Sequence, residues 1–255
     1  MKVSAIRALF ALVFSCAAFA DQMQFESPGS NIWWTSAGPY AGVYISPYTA
    51  LDVTTNKTLS IYCLDYNDEI APPFNWDANL WQLKPGNLSH LQFGSMTQAY
   101  NLGDTAGTIT SVLSSAPLTP GSYDRYLEAA WLFTRSAATS DPTAQTEFQV
   151  AAWSLFVNSG SVGAFIANIN DSGTGFANAV YNDVNSAQFA VSHGWAGSGW
   201  SAVTMDPTWD QVHYGNVPVQ EFLEYNATPE PSALILFGTI AAVLFCIVMR
   251  RKRLA

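Results

Sequence analysis

The spacing of hydrophobic and polar residues changes along the chain and predicts its secondary structure. Between residues 31 and 66, aromatic and β-branched residues form short runs that glycine, proline and asparagine interrupt. Such runs are typical of strands joined by turns. They predict four strands, at 32–35, 42–45, 50–54 and 59–64.

The next segment has a different composition. Residues 67–90 mix prolines with tryptophans and predict an irregular connection. Residues 91–102 carry fewer turn formers and predict a short helix.

Helical spacing is clearest in the middle of the chain. Residues 123–135 place Tyr126, Ala130 and Phe133 on one face of a helix. A second helix is expected to start at Asp141 and to end near residue 160, because the acid can cap the helix and proline follows at its first position. Its body is apolar nearly all round, which indicates burial on most faces. Together these segments predict a helical section over 91–160.

Glycine and asparagine become frequent again after residue 160. Within this last part, 200–205 and 216–223 have the composition of strands, and we expect a strand section over 195–225. The order of strands, helices and strands predicts an α+β fold for a β-rich domain that covers residues 21–225.

The first twenty residues have the layout of a secretory signal peptide. Lys2 and Arg7 precede a short apolar run, and Ala18 and Ala20 form a small-residue cleavage site. We therefore expect residues 1–20 to be removed after Ala20. Cys16 leaves open the alternative of lipoprotein processing, which fits the surrounding residues less well.

The other end of the chain predicts a membrane helix. After a linker at 226–232, residues 233–249 form an apolar run of 17 residues, about 25 Å long as a helix. This is the short end of what spans a bilayer. The basic tail at 250–255 is expected to stay in the cytoplasm, so that the preceding domain faces outward.

Charge and cysteine content narrow the possible functions. Residues 21–228 contain 18 acidic residues and four basic ones, a net charge of −14, which argues against nucleic acid as a partner. Cys63 is the single cysteine of this region, so it cannot form a disulfide within the domain. The histidines have no metal-ligand spacing. The sequence predicts no cofactor, no metal and no catalytic residue.

The tail resembles a known sorting signal. It consists of a Pro-Glu-Pro motif, an apolar helix and a basic cluster, in that order; the motif and cluster residues are Pro229, Glu230, Pro231, Arg250, Arg251, Lys252 and Arg253. This arrangement resembles the PEP-CTERM signal of Gram-negative bacteria. The resemblance implies that an exosortase in the inner membrane recognises and cuts the tail, and that the protein reaches the outer surface or a matrix of extracellular polysaccharide, as in biofilms. A plain single-span anchor is the alternative.

Two further motifs resemble the thioester domains of bacterial surface adhesins. Tyr62 and Cys63 form a Tyr-Cys pair in a predicted strand, and Gln149 begins a Gln-Val-Ala-Ala-Trp segment in a predicted helix. Ala152 and Phe148 stand where those adhesins usually have isoleucine and threonine. The resemblance implies a thioester between the Cys63 sulfur and the Gln149 side-chain carbonyl, which an amine on a partner surface would attack. The ordinary alternatives are a hydrogen-bonded buried glutamine and a buried cysteine that acts as a small hydrophobe.

These observations lead to a ranked set of functions. We expect a non-enzymatic protein of the cell surface or extracellular matrix, with a possible covalent adhesive activity through Cys63 and Gln149. The alternative is a structural or noncovalent module whose tryptophans and tyrosines hold polysaccharide. A secreted hydrolase is the third candidate.

Overall fold

The computed structural model describes residues 21–29, 31–34, 42–66, 74–94, 100–105, 108–113, 122–157, 161–206 and 220–226. The strands within these ranges are β1 (Asp21–Ser27), β2 (Asn31–Trp34), β3 (Gly42–Ile45), β4 (Tyr48–Asp52), β5 (Lys57–Cys63), β6 (Phe74–Gln82), β7 (Tyr100–Thr105), β8 (Thr108–Leu113), β9 (Trp200–Met205) and β10 (Phe222–Tyr225). The helices are α1 (Ser122–Ala137), α2 (Pro142–Ser154), α3 (Val162–Asp171) and α4 (Thr174–Ser192), with a short 3-10 helix at Pro85–His90.

Six antiparallel strands form a closed barrel in the order β1-β4-β5-β10-β9-β6. Successive side chains of a strand point to opposite faces, so every second residue enters the barrel. Its interior is packed with aromatic rings: Tyr48 lies 5.6 Å from Phe25 and 6.1 Å from Phe222 between ring centroids. The fold is therefore a mixture of helices and strands built on a small barrel with a filled core.

The helices cover one outer side of the barrel. Tyr62 of β5 stacks on Phe133 of α1 with 4.9 Å between centroids, and Trp200 of β9 lies 6.3 Å from the same phenylalanine. Helix α1 packs on α2 and α4, while the β2-β3 hairpin contacts α2 and the β7-β8 hairpin contacts α3 and α4. The helical layer thus links the barrel to both hairpins.

Several predictions from the sequence are confirmed. The four strands expected between residues 32 and 64 are β2 to β5, and the strand expected at 200–205 is β9. The helix at 123–135 is α1. The carboxylate of Asp141 accepts a hydrogen bond from the Thr143 backbone N–H at 2.9 Å, which is the predicted cap of α2. That helix ends at Ser154, earlier than expected.

Other predictions are wrong. Residues 74–82 of the expected irregular connection form β6, and the end of the expected helix at 91–102 belongs to β7. The alternation of Trp76, Ala78 and Leu80 was the available strand signal in β6, because it is the pattern of a half-buried strand. β1 was not predicted either, although Met23 and Phe25 alternate in the same way.

The helical section also lies further along the chain than predicted. It covers residues 122–192 rather than 91–160, because α3 and α4 occupy a segment that the glycines and asparagines assigned to loops and strands. Such residues have low helix propensity. Burial of apolar side chains compensates for this low propensity, because Phe165, Ile169 and Val180 are fully buried along these helices.

The predicted signal peptide at 1–20 and the predicted sorting tail at 227–255 lie outside the described residues. Across the part of the chain that the structure covers, no helix has both the length and the apolar character needed to cross a membrane.

Helix α1 buries a carboxylate that lacks a complete set of partners. Glu128 is 2% exposed, and its Oε2 has no hydrogen-bond partner within the described structure. Burial, with a smaller contribution from the nearby Asp124, raises the pKa of Glu128 to about 8, and Arg125 opposes the shift. Ionising this group therefore costs free energy in the folded state.

We expect Glu128→Gln to change how stability depends on pH. A pKa raised by folding favours the folded state at low pH, and this contribution is lost as pH rises through about 8. The variant should therefore gain stability relative to the wild type between pH 5 and pH 8, by more than about 1 kcal/mol. Urea unfolding at several pH values measures this. Glu26→Gln, at an exposed position on β1, is the control and should stay within about 0.5 kcal/mol of the wild type. If the free energy of unfolding depended on pH in the same way in Glu128→Gln and the wild type, the expectation would be contradicted.

Candidate functional site

The candidate site is built around Cys63, the last residue of β5. Its side chain is fully buried, and its thiol donates a hydrogen bond to the Asp65 backbone carbonyl at 3.0 Å. Burial raises the pKa of Cys63 strongly, and the charge of Asp65 raises it further, whereas the hydrogen bond from Trp153 lowers it. The group is therefore a neutral thiol at physiological pH.

The amide that contacts the sulfur belongs to Gln220. Phe222 of β10 pairs with Cys63, and Gln220 lies two residues earlier, so its side chain points to the same face of the sheet. Its Nε2 is 2.5 Å from Cys63 Sγ and 3.2 Å from the Asp65 carbonyl oxygen. The pairing of β5 with β10 thus brings together two residues that are 157 positions apart.

The distance between this sulfur and nitrogen is unusually short. Hydrogen bonds from N–H to oxygen measure about 2.7–3.2 Å, and sulfur is larger than oxygen. The Gln220 amide and the Cys63 thiol are therefore in direct contact.

Gln149 lies in the same site but contacts the backbone. Its Nε2 donates to the Cys63 carbonyl oxygen at 2.8 Å, and its Oε1 accepts from the Ser46 backbone N–H at 3.3 Å. Ser46 in turn accepts a hydrogen bond at its Oγ from the Cys63 N–H at 2.9 Å. The structure therefore brings Gln149 and Cys63 together. The Gln149 amide nitrogen binds the end of β5, and its oxygen binds Ser46, which follows β3.

Trp153, four residues after Gln149 on α2, covers the sulfur. Its indole N–H points to Cys63 Sγ at 3.4 Å. The ring lies within 6.3 Å of Trp33 and 5.6 Å of Tyr66 between centroids, and Tyr66 contacts Phe165 of α3. This aromatic cluster keeps water away from the thiol. Within the Gln-Val-Ala-Ala-Trp segment, the Gln149 side chain therefore hydrogen-bonds to the backbone, and the Trp153 side chain contacts the sulfur.

A second buried polar network adjoins Gln220. The Gln92 side chain donates to the Asp65 carboxylate at 3.1 Å, and its backbone N–H donates to Glu221 Oε1 at 3.1 Å. The Tyr126 hydroxyl donates to Glu221 Oε2 at 2.5 Å. Burial raises the pKa of Glu221 to about 7, against the effect of these hydrogen bonds. The network fixes the residues on either side of Cys63 and Gln220.

Gln220 was not singled out from the sequence. The available signal was a glutamine with valine before it and phenylalanine two residues after it, inside a predicted strand. A buried amide costs free energy unless it is paired, so such a position points to a specific partner. Gln149 and Gln220 are both buried, and only the fold shows which one contacts the sulfur.

The remaining predicted residues lie elsewhere. Ala18, Ala20, the Pro-Glu-Pro motif and the basic cluster lie outside the described residues, as does His213. His90 stacks on Trp81 and His193 on Phe189. Within the described ranges, no group of three or more metal-ligating side chains is placed to hold an ion.

Comparisons with known proteins add no family. No family model matches the chain, and neither a curated protein nor a solved structure is significantly similar to it.

We expect Gln149→Leu to destabilise the fold. The change would leave the Cys63 carbonyl and the Ser46 N–H without this partner in a buried position, at a cost of about 1–3 kcal/mol. Urea unfolding followed by tryptophan fluorescence measures the loss. Gln188→Leu, at a half-buried position on α4, is the matched control and should stay within about 0.5 kcal/mol of the wild type. An equally small effect at Gln149 would show that its hydrogen bonds do not hold the site together.

Proposed function

We propose that the protein is an exported surface or matrix protein whose domain carries an internal thioester between Cys63 and Gln220. The observation that supports this is the 2.5 Å separation of Cys63 Sγ and Gln220 Nε2 in a fully buried site. Cys63 is the reactive cysteine that the sequence indicated. The acyl group is assigned to Gln220 instead of Gln149, because the Gln149 amide is hydrogen-bonded to the backbone.

Thioester formation is a balanced exchange within the site. The Cys63 sulfur attacks the side-chain carbonyl carbon of Gln220 and forms a carbon–sulfur bond. The thiol proton moves to the amide nitrogen, the carbon–nitrogen bond breaks, and ammonia leaves. No metal, oxidant or cofactor takes part.

The thioester would then act as an activated acyl group. An amine on a partner surface attacks the same carbon, the carbon–sulfur bond breaks, and the Cys63 thiol is restored. The product is an amide that links the partner to residue 220. The aromatic cluster around Trp153 protects the thioester from hydrolysis by excluding water.

The cellular location of the protein is inferred from its two ends. A signal peptide is cleaved after Ala20, and an exosortase recognises Pro229-Glu230-Pro231 and the tail that follows. The helix at 233–249 holds the chain in the inner membrane until the tail is cut. Cleavage near the tripeptide would leave the barrel domain on the outer surface or in the extracellular matrix.

Intact mass spectrometry tests the thioester. The wild-type protein should be lighter than its sequence by one ammonia, and its Cys63 should resist alkylation. Methylamine should open the bond, expose a thiol that iodoacetamide alkylates, and leave an N-methylated glutamine. Fragmentation of that peptide should place the methyl group on Gln220.

Variants separate the two glutamines. Cys63→Ala and Gln220→Ala should restore the full mass, while Gln149→Ala should keep the ammonia loss provided that the protein folds. Methylamine on Gln149, with the mass loss kept in Gln220→Ala, would assign the bond to Gln149 instead. Full mass and a freely alkylated thiol in the wild type would rule out the thioester altogether.

Cell fractionation tests the sorting tail. Replacing Pro229, Glu230 and Pro231 by alanine should leave the full-length chain in the membrane fraction, because the apolar helix and the basic cluster are unchanged. The wild type should appear as a shorter form at the surface or in the medium of a host that has an exosortase. Equal release of both proteins would contradict exosortase processing.

A further inference from the structure

A cavity of about 800 Å³ opens on the outer face of the barrel, away from Cys63. It lies between β5, the segment that joins α4 to β9, and the C-terminal end of α1. Tyr62 forms part of its wall, and Cys63, the next residue, points to the opposite face of the same strand. The cavity and the thioester site are therefore separate. Its volume falls within the range of about 300–1,000 Å³ that small-molecule sites occupy.

Aromatic rings form much of the cavity wall. Tyr62 and Trp200 are buried in the wall, with 5.6 Å between their centroids. Trp195 and Tyr225 lie nearer the surface, where Tyr225 is 56% exposed and 5.4 Å from Trp200. The exposed Tyr225 and the half-buried Trp195 line the same cavity and leave apolar ring area without a covering group. Such area is available to a ligand.

Two glycines allow the loop before β9 to pass close to the cavity wall. Gly197 and Gly199 have φ angles of 62° and 86°, a region that other residues rarely adopt. A Cβ on Gly197 would stand 2.7 Å from the Leu127 side chain, and one on Gly199 would stand 3.0 Å from the Tyr225 ring. The loop between α4 and β9 is therefore shaped by close approach to the aromatic wall.

Hydrogen-bonding groups complete the lining. Thr58, Ser60 and Ser198 are exposed along the cavity, and Lys57 is the one charged side chain among the described lining residues. The Lys57 ammonium group donates to the Asn226 side chain at 3.5 Å and keeps further donors. Its charge also acts on the buried Glu224 carboxyl of β10, whose pKa it lowers against the effect of burial.

We propose that this cavity binds a saccharide, with a preference for a pyranose unit that carries a carboxylate. A pyranose has apolar C–H faces that pack on aromatic rings and hydroxyl edges that need hydrogen-bond partners. The wall supplies both, and Lys57 supplies an opposite charge for a uronate. Binding at this site is noncovalent and does not depend on the thioester.

Titration with defined oligosaccharides tests the site. The full-length protein is titrated with a galacturonate tetrasaccharide and with a glucose tetrasaccharide, and binding is followed by calorimetry and tryptophan fluorescence. Both should bind, and galacturonate should bind about threefold more tightly at low salt. Lys57→Gln should remove this preference and leave glucose binding unchanged.

Ring deletions locate the binding. Trp195→Ala should weaken both affinities at least about tenfold. Tyr225→Ala should weaken them as well, and because this ring is largely exposed, its loss leaves the fold intact by circular dichroism. Trp131→Ala is the control, since it removes a half-buried tryptophan on α1 outside the cavity, and it should bind as the wild type does. Cys63→Ala should also bind unchanged.

The opposite results would overturn the assignment. Absence of binding by either sugar at millimolar concentration would exclude a saccharide site. Binding that Trp131→Ala abolishes and Trp195→Ala leaves intact would place the ligand elsewhere. Equal affinity for the two sugars would remove the preference for a uronate. None of these outcomes bears on the ammonia loss that tests the thioester.

Discussion

The pairing of β5 with β10 is the interaction on which the rest of the structure depends. It closes the barrel between β5 and β9, and it places Phe222 opposite Cys63. The same register brings the Gln220 amide to the sulfur and aligns the Leu64 N–H with the Glu221 carbonyl at 2.9 Å. A slip of one residue would turn Gln220 to the outer face of the barrel. Register therefore decides both whether the core is filled and whether the proposed bond can form.

Much of the fold could be predicted from the sequence because its elements carry strong local signals. Aromatic alternation indicated β2 to β5, and the Asp141 cap indicated α2. Helices α3 and α4 could not be predicted in the same way, because their stability comes from buried residues such as Ile169 and Val180 rather than from helix propensity. Closure of the barrel could not be predicted from the sequence either, because it depends on pairing between strands that lie far apart in the chain.

The site was predicted in part for the same reason. Cys63 stood out by being solitary, and Gln149 by lying on an apolar helix face, and both lie in the buried site. What the sequence could not show was the role of each amide. Gln149 sits on a helix that reaches the Cys63 backbone, whereas Gln220 approaches the sulfur along the neighbouring strand. Only the geometry of the sheet distinguishes the amide that holds the backbone from the amide that contacts the sulfur.

The position of β10 at the end of the domain also sets an order of events in time. Cys63 leaves the ribosome long before Gln220, and at about 5–20 residues per second the 157 residues between them take roughly 10–30 s. During this interval the barrel is open at β5, and the thiol lacks the glutamine beside it. The barrel closes only once residue 225 is available to β5 and β9. An acyl bond at Cys63 would therefore be among the last covalent steps in the maturation of the domain.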